Sequence, residues 1–79
     1  MSYCDYLIEV DNEITRATQK HKPMNSAHEG YAVIKEELEE LWDEIKKQNP
    51  SKTLMHKEAL HVAAMALRFI QDVCEEVEG

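Results

Sequence analysis

The stretch EGYAVIKEELEELWDEI, Glu29 to Ile45, decides the fold. Its apolar residues recur at steps of three and four, the rhythm of a helix that packs on one face. Rotated at about 100° per residue, Tyr31, Ile34, Leu38, Leu41, Trp42 and Ile45 gather on that face. Glu36, Glu37, Glu39, Glu40, Asp43 and Glu44 crowd into nine positions of the same helix. Glu36, Glu39 and Asp43 fall on the opposite side, where water solvates them. Glu37, Glu40 and Glu44 line up along one edge of the apolar face. Like charges at that spacing repel by a few tenths of a kcal/mol per pair, so the edge is mildly destabilising without compensation.

Outward from this helix the pattern stays helical. On the N-terminal side HKPMNS breaks the rhythm at Pro23, and Asn25 or Ser26 is placed to cap the helix by accepting from its free N–H groups. Before the break, Tyr3, Leu7, Val10, Ile14 and Ala17 form one apolar stripe, predicting a first helix from about Ser2 to Lys20. Asp5, Glu9, Asp11 and Glu13 fall mostly off that stripe. The second helix is expected to end near Gln48, where NPS follows, with Ser51 or Thr53 as the next cap. A third helix then runs to about Val77, and the acidic tail CEEVEG reads as a fraying end. Its stretch EALHVAAMALRFIQDV is apolar on nearly every side, which predicts burial from several directions and hence a partner subunit. Glu58 lies on the side of Val62, Met65 and Phe69, with His61 one turn on and Arg68 and Asp72 continuing that edge.

The whole composition agrees. Glu, Lys, Ala, Leu and Met dominate, with two glycines, two prolines and few aromatics, which suits helix rather than sheet. The 79 residues make one domain, spanning residues 1–79. A chain this short buries only about 60% of its unfolded surface, which favours an oligomer, a bound metal or both. A net charge of −7 argues against binding a nucleic-acid backbone. A nucleotide ligand stays open, because a metal inverts the local field. No stretch is long and apolar enough for a membrane span, and the N-terminus has no basic region of a signal peptide. Cys4 and Cys74 read as reduced thiols of a cytoplasmic protein.

The edge acids carry the chemistry. Hard oxygen donors from two helices at partly buried positions suit Mg²⁺ or Mn²⁺. Such ions clamp a polyphosphate and activate a water. Periodicity alone leaves Glu40 and Glu44 divided between ligation and a solvated edge. Glu58, flanked by apolar residues, must be paired, protonated or metal-bound. His61 is either a ligand or a hydrogen-bonded core residue. His21, His28 and His56 have structural explanations near helix ends, and Met24, Met55 and Met65 read as core or interface filler. Trp42 and Tyr31 read as core. Lys20, Lys22 and Lys35 are solvated or touch phosphate.

EELEE at Glu36–Glu40, followed after a short hairpin by EALH at Glu58–His61, resembles the MazG-like all-α nucleoside triphosphate pyrophosphohydrolases. Their signature is an EExxE box on one helix and an ExxD box on the next. Glu36, Glu37 and Glu40 match the first box, and Glu58 opens the second. The resemblance covers about Met24 to Val73, with flanks similar to the small phage and mobile-element branch. It implies a metal-dependent hydrolase that splits the α–β phosphate bond of a nucleoside triphosphate, with Mg²⁺ on the box carboxylates and a water attacking in line. It also implies a homodimer or homotetramer in which helices of two subunits complete a four-helix-bundle core. By carry-over Glu37, Glu40 and Glu58 are metal ligands, and Glu36, Glu37 and Glu40 are the catalytic acids. Glu36 conflicts with its own helical position, which turns it from the core.

This chain departs from the signature at His61, where the family has Asp. An imidazole is a poorer Mg²⁺ ligand and prefers Mn²⁺, Fe²⁺ or Zn²⁺. His61 either stays in the metal set with altered preference, or hydrogen-bonds a ligand while Asp72 or Glu44 supplies the charge, or marks lost activity. Two rivals stand beside this reading. Glu58-x-x-His61 with Glu37 also matches the di-iron and di-manganese carboxylate proteins of four-helix bundles. A non-catalytic helical interaction protein would keep the acidic edge as a solvated face and the third helix as a dimer seam.

Overall fold

The computed structural model describes residues 1–75 as three α-helices and a short π-helical turn, with no strand among them. Helix α1 spans Tyr3–Lys20, α2 Ala27–Ile45 and α3 Lys52–Phe69; Ile70–Cys74 continues α3 in the wider π-helical turn. The chain is all-α, as its composition and periodicity predict.

Each helix opens on a serine. Ser2 Oγ accepts from the Asp5 amide at 3.3 Å, and Asp5 Oδ2 accepts from the Ser2 amide at 3.0 Å, a reciprocal capping box. Ser26 caps α2 through the Glu29 amide at 3.1 Å, and Ser51 caps α3 through the Leu54 amide at 3.2 Å. The alternatives Asn25 and Thr53 are not the caps. Helix α1 ends at His21 as Pro23 approaches, because a residue before proline is pushed out of the helical region. Helix α2 stops at Ile45, short of Gln48. Lys46 and Lys47 fold back there onto Asp43 at 3.0 Å and Glu44 at 2.8 Å. The α-helical part of α3 ends at Phe69, and the Glu75 amide donates five residues back to the Ile70 carbonyl at 2.9 Å. The expected end at Val77 and the rest of the acidic tail lie outside the described residues.

Helix α3 is central, with α1 and α2 packed on it from two sides. Helix α1 runs parallel to α3, so Glu9 meets His56, Glu13 meets His61 and the Lys22 carbonyl meets Arg68. Helix α2 runs antiparallel, so Glu37 meets His61 while Gly30 meets Phe69. The all-round apolar character of α3 is therefore met partly within its own chain. The core is thin: Val10, Ala17, Met24, Ala64 and Met65 are buried, with Ile14, Val33, Ile34, Leu60, Phe69 and Val73 packed around them. Gly30 is needed at the α2–α3 crossing. A Cβ there would lie 2.7 Å from Phe69 Cε2 and 3.2 Å from Met24 Sδ.

The face of α2 differs from the expected one. Ile34 and Leu41 are half-buried, but Tyr31, Leu38, Trp42 and Ile45 stand exposed, Trp42 at 57%. The inner face is instead Gly30, Val33, Ile34, Glu37, Leu41 and Glu44. Helix α2 carries two apolar ridges, and α3 takes the one that contains Gly30, where the missing Cβ permits close approach. Helix α1 shows the same split: Val10, Ile14 and Ala17 face inward, while Tyr3 and Leu7 are exposed.

Candidate metal centre

The rotation of α2 carries Glu37 into the seam between the helices. Glu40 lies one turn on, and Glu58 and His61 stand one turn apart on α3. One ligand atom from each of Glu37, Glu40, Glu58 and His61 lies within 4.8 Å of all the others. All four expected ligands thus come together. Nδ1 of His61 is 3.4 Å from Glu58 Oε2 and 3.5 Å from Glu37 Oε2. Nε2 is 3.3 Å from Oε1 of Glu13 on α1.

These spacings are long for hydrogen bonds. Glu37 Oε2 and Glu58 Oε2 are buried without any hydrogen-bond partner. Buried carboxylate oxygens without partners are costly, which makes them the strongest sign of a ligand at the site. Burial, then the adjacent Glu40 carboxyl, then the charges of Glu58 and Glu36 push the Glu37 pKa up to about 7. Glu13 moves the other way. Its hydrogen bond from Arg16 lowers its pKa, opposed by burial and aided by His61. Arg16 Nε donates to Glu13 Oε2 at 3.0 Å.

The residues fit a divalent cation. Ligand oxygens about 2.1 Å from an octahedral ion are separated by about 3 Å when adjacent and about 4.2 Å when opposite. The 3.4 and 3.5 Å spacings fall in that range. Carboxylate oxygens and an imidazole nitrogen are donor types that divalent cations accept.

Glu36 is exposed and lines the rim of the cleft beside the cluster, but it is not one of the four converging residues. Asp72 does not replace the signature carboxylate: its Oδ2 accepts from the Met24 amide at 2.9 Å. Nor does Glu44, which pairs with Lys47. The acid that joins His61 is Glu13, set among Val10, Ile14 and Ala17. Its position in that inward stripe, three residues before Arg16, was the available signal. Of the remaining histidines, His56 Nε2 meets Glu9 Oε2 at 2.6 Å, which ties α1 to α3, while His21 caps the C-terminus of α1 and His28 is exposed. Cys4 and Cys74 are exposed free thiols.

Glu37, Glu40 and His61 of the cluster line a cleft of about 450 Å³, while Glu58 does not reach its wall. Ala17, Val33 and Met65 supply its apolar lining, and Lys22, His21 and Arg68 line it beyond them. No described helix is long and apolar enough to cross a membrane. Comparison with protein-family models, curated proteins and solved structures finds no match to this chain. Function is therefore argued from the chemistry of the site.

Proposed function

We propose that this chain is a metal-dependent pyrophosphohydrolase that cleaves nucleoside triphosphates to the monophosphate and pyrophosphate. The observation that carries this reading is the pair of buried, unpartnered oxygens on Glu37 and Glu58 that face His61, beside a cleft that Glu37 and His61 line. Glu37, Glu40 and Glu58 would hold Mg²⁺ or Mn²⁺, with His61 as the fourth member of the set. A bound ion there would polarise phosphoryl oxygens and supply a water of lowered pKa. The chain's own groups divide the remaining work. Glu13, itself held by Arg16, faces Nε2 of His61 and would steady the ring once an ion draws Nδ1 in, and the exposed carboxylate of Glu36 would orient a water at the rim.

The active form on this proposal is a homodimer or homotetramer whose subunits complete a four-helix core. The exposed ridge Tyr31, Leu38, Trp42 and Ile45, at helical spacing beside a thin core, supports it. Exposed free thiols and a nucleotide substrate suit a reducing cytoplasm.

One observation favours a second, non-catalytic reading. A protonated His61 would lie within 3.5 Å of three carboxylates and act as a built-in cation that neutralises the cluster. Pyrophosphate release from a panel of ribo- and deoxyribonucleoside triphosphates, with Mg²⁺ and separately with Mn²⁺, separates the two. Release that disappears in Glu37→Gln is the expected result. Silence across the panel from folded protein that also fails to bind either ion would leave the internal-cation reading.

A further inference from the structure

The cleft has a second pole that the acids do not use. Arg68 of α3 is 5% exposed and lines the cleft wall. Its Nη2 donates to the Lys22 carbonyl at 3.1 Å, and its Nη1 donates to Met65 Sδ at 3.5 Å. Among the described residues, two of the five N–H donors of the guanidinium find a partner. Among the described residues no carboxylate lies within 4.0 Å of it. Asp72, one turn on, accepts from the Met24 amide. Glu29, the acid that lines this end, accepts from the Asn25 amide at 3.3 Å. A buried arginine is ordinarily paired with an anion. Among the described residues, the partners of this guanidinium are a carbonyl and a thioether, neither of them an anion.

The position of that charge is informative. Residue 68 lies seven residues beyond His61, about 10 Å along the helix axis. Helical side chains lean toward the N-terminus, and Arg68 does so, reaching Met65. His61 leans back in the same way toward Glu58, so the guanidinium keeps its offset of about 10 Å from the imidazole along the axis. A phosphate chain held at the acid end extends toward it over the Met65 and Val33 lining. The planar fork of an arginine suits two oxygens of one phosphate.

We infer that Arg68 is an anion-binding group of this cleft, which holds one phosphate of a ligand whose neighbouring phosphate sits at the Glu37–Glu40–Glu58 end. The ligand class is a di- or triphosphate, anchored at both poles. The second anchor rests on the metal reading of the acids; the Arg68 anchor does not.

The test uses the full chain, Arg68→Met, Arg68→Lys and Asp72→Asn, each checked for helical content. Asp72→Asn weakens the other tether of the 21–25 loop and serves as the structural control. Calorimetry with Mn²⁺ alone, then with inorganic pyrophosphate in saturating Mn²⁺, reads the two poles separately. Arg68→Met is expected to bind Mn²⁺ like the parent and pyrophosphate at least about tenfold more weakly, with Asp72→Asn unchanged. Equal pyrophosphate affinity in parent and Arg68→Met overturns the proposal. So does an equal loss in Asp72→Asn, which would assign the effect to the loop. If Arg68→Met does not fold, Arg68→Lys carries the comparison: weaker binding without the fork supports the proposal, and unchanged affinity overturns it. If none of the proteins binds Mn²⁺, the metal reading falls by itself. Thermal shift with metal-free inorganic phosphate then decides Arg68. Stabilisation of the parent but not of the Arg68 variants sustains the site, and no stabilisation of the parent removes it.

Discussion

Glu13 of α1 faces Nε2 of His61 on α3 at 3.3 Å, with both side chains largely withdrawn from water. The other ring nitrogen faces Glu37 and Glu58. If Nδ1 serves a metal, Glu13 is the group that holds the proton on Nε2 and sets the tautomer. Loss of such a partner typically costs about 10–100-fold in metal affinity. Glu13→Gln is accordingly expected to weaken Mn²⁺ binding by at least about tenfold while the fold persists, read by calorimetry beside circular dichroism. Unchanged Mn²⁺ affinity would remove Glu13 from the site.

The raised pKa of Glu37 predicts how stability depends on pH without metal. Its folded value of about 7 exceeds the ordinary 4.5. Between those values the folded chain binds more protons than the unfolded one, so stability falls as pH rises through that window. The contribution is fully present below pH 4.5 and gone above 7. Glu13, whose pKa is lowered, acts in the opposite sense and only below its ordinary value of 4.5. Thermal melts in chelator should therefore give a higher Tm near pH 5 than near pH 7.5. Glu37→Gln should flatten that difference, and a divalent ion should restore stability at the upper pH. A metal-free Tm that climbs from pH 5 to 7.5 would contradict the buried, crowded state of Glu37.

The sequence made some features legible and hid others for physical reasons. Serine caps and the proline breaks depend on local chemistry, so Ser26 and Ser51 were within reach of a sequence reading. Helical spacing placed Glu37, Glu40 and Glu44 on one edge and Glu58 beside His61, but it did not separate Glu40 from Glu44; the set Glu37, Glu40, Glu58 and His61, whose atoms the fold brings together, came from the resemblance of the two boxes. The inner face of α2 was not legible. Val33 and Leu41 form one ridge, Tyr31, Leu38 and Trp42 the next, and hydrophobicity cannot tell which meets α3. Gly30 held that information through the Cβ it lacks. Glu13 was passed over because the reading of α1 set it with the acids off the stripe, whereas it is half-buried beside Val10, Ile14 and Ala17 and its partner His61 lies on another helix.

The exposed ridge predicts association. Leu38 at 53% and Trp42 at 57% exposure are costly to hydrate and sit on one side of α2. Leu38→Glu with Trp42→Glu should shift the chain toward monomer in sedimentation analysis. The fluorescence of Trp42, the only tryptophan, should move to longer wavelength on dilution of the parent. A parent that is monomeric at every concentration would leave the ridge unpartnered and the four-helix proposal without support.

Gly30→Ala tests the α2–α3 crossing. Helix propensity alone favours alanine by up to about 1 kcal/mol. Against that, the added Cβ meets the Phe69 ring and Met24 Sδ, both held in the core. Overpacking of this kind costs about 1–3 kcal/mol, so the net change should be destabilising. Each kcal/mol lowers Tm by roughly 4–8 °C in a domain of this size. A Tm that rises instead would mean that Phe69 rotates freely out of the way.

His61→Asp asks whether the histidine retunes the site. A carboxylate at that position would add a hard oxygen donor and remove the imidazole, which shifts preference from Mn²⁺ toward Mg²⁺. The shorter Asp carboxyl reaches about as far as Nδ1 did and not to the Nε2 position, but it adds a negative charge to the group that includes Glu13, and neighbouring like charges disfavour ionisation. The variant is therefore best made with Glu13→Gln, which removes that repulsion. The double variant should raise the ratio of Mg²⁺ to Mn²⁺ affinity on the order of tenfold over Glu13→Gln alone, measured by calorimetry. An unchanged ratio would mean that His61 donates nothing to the ion and that its place among Glu13, Glu37 and Glu58 is the neutralising one.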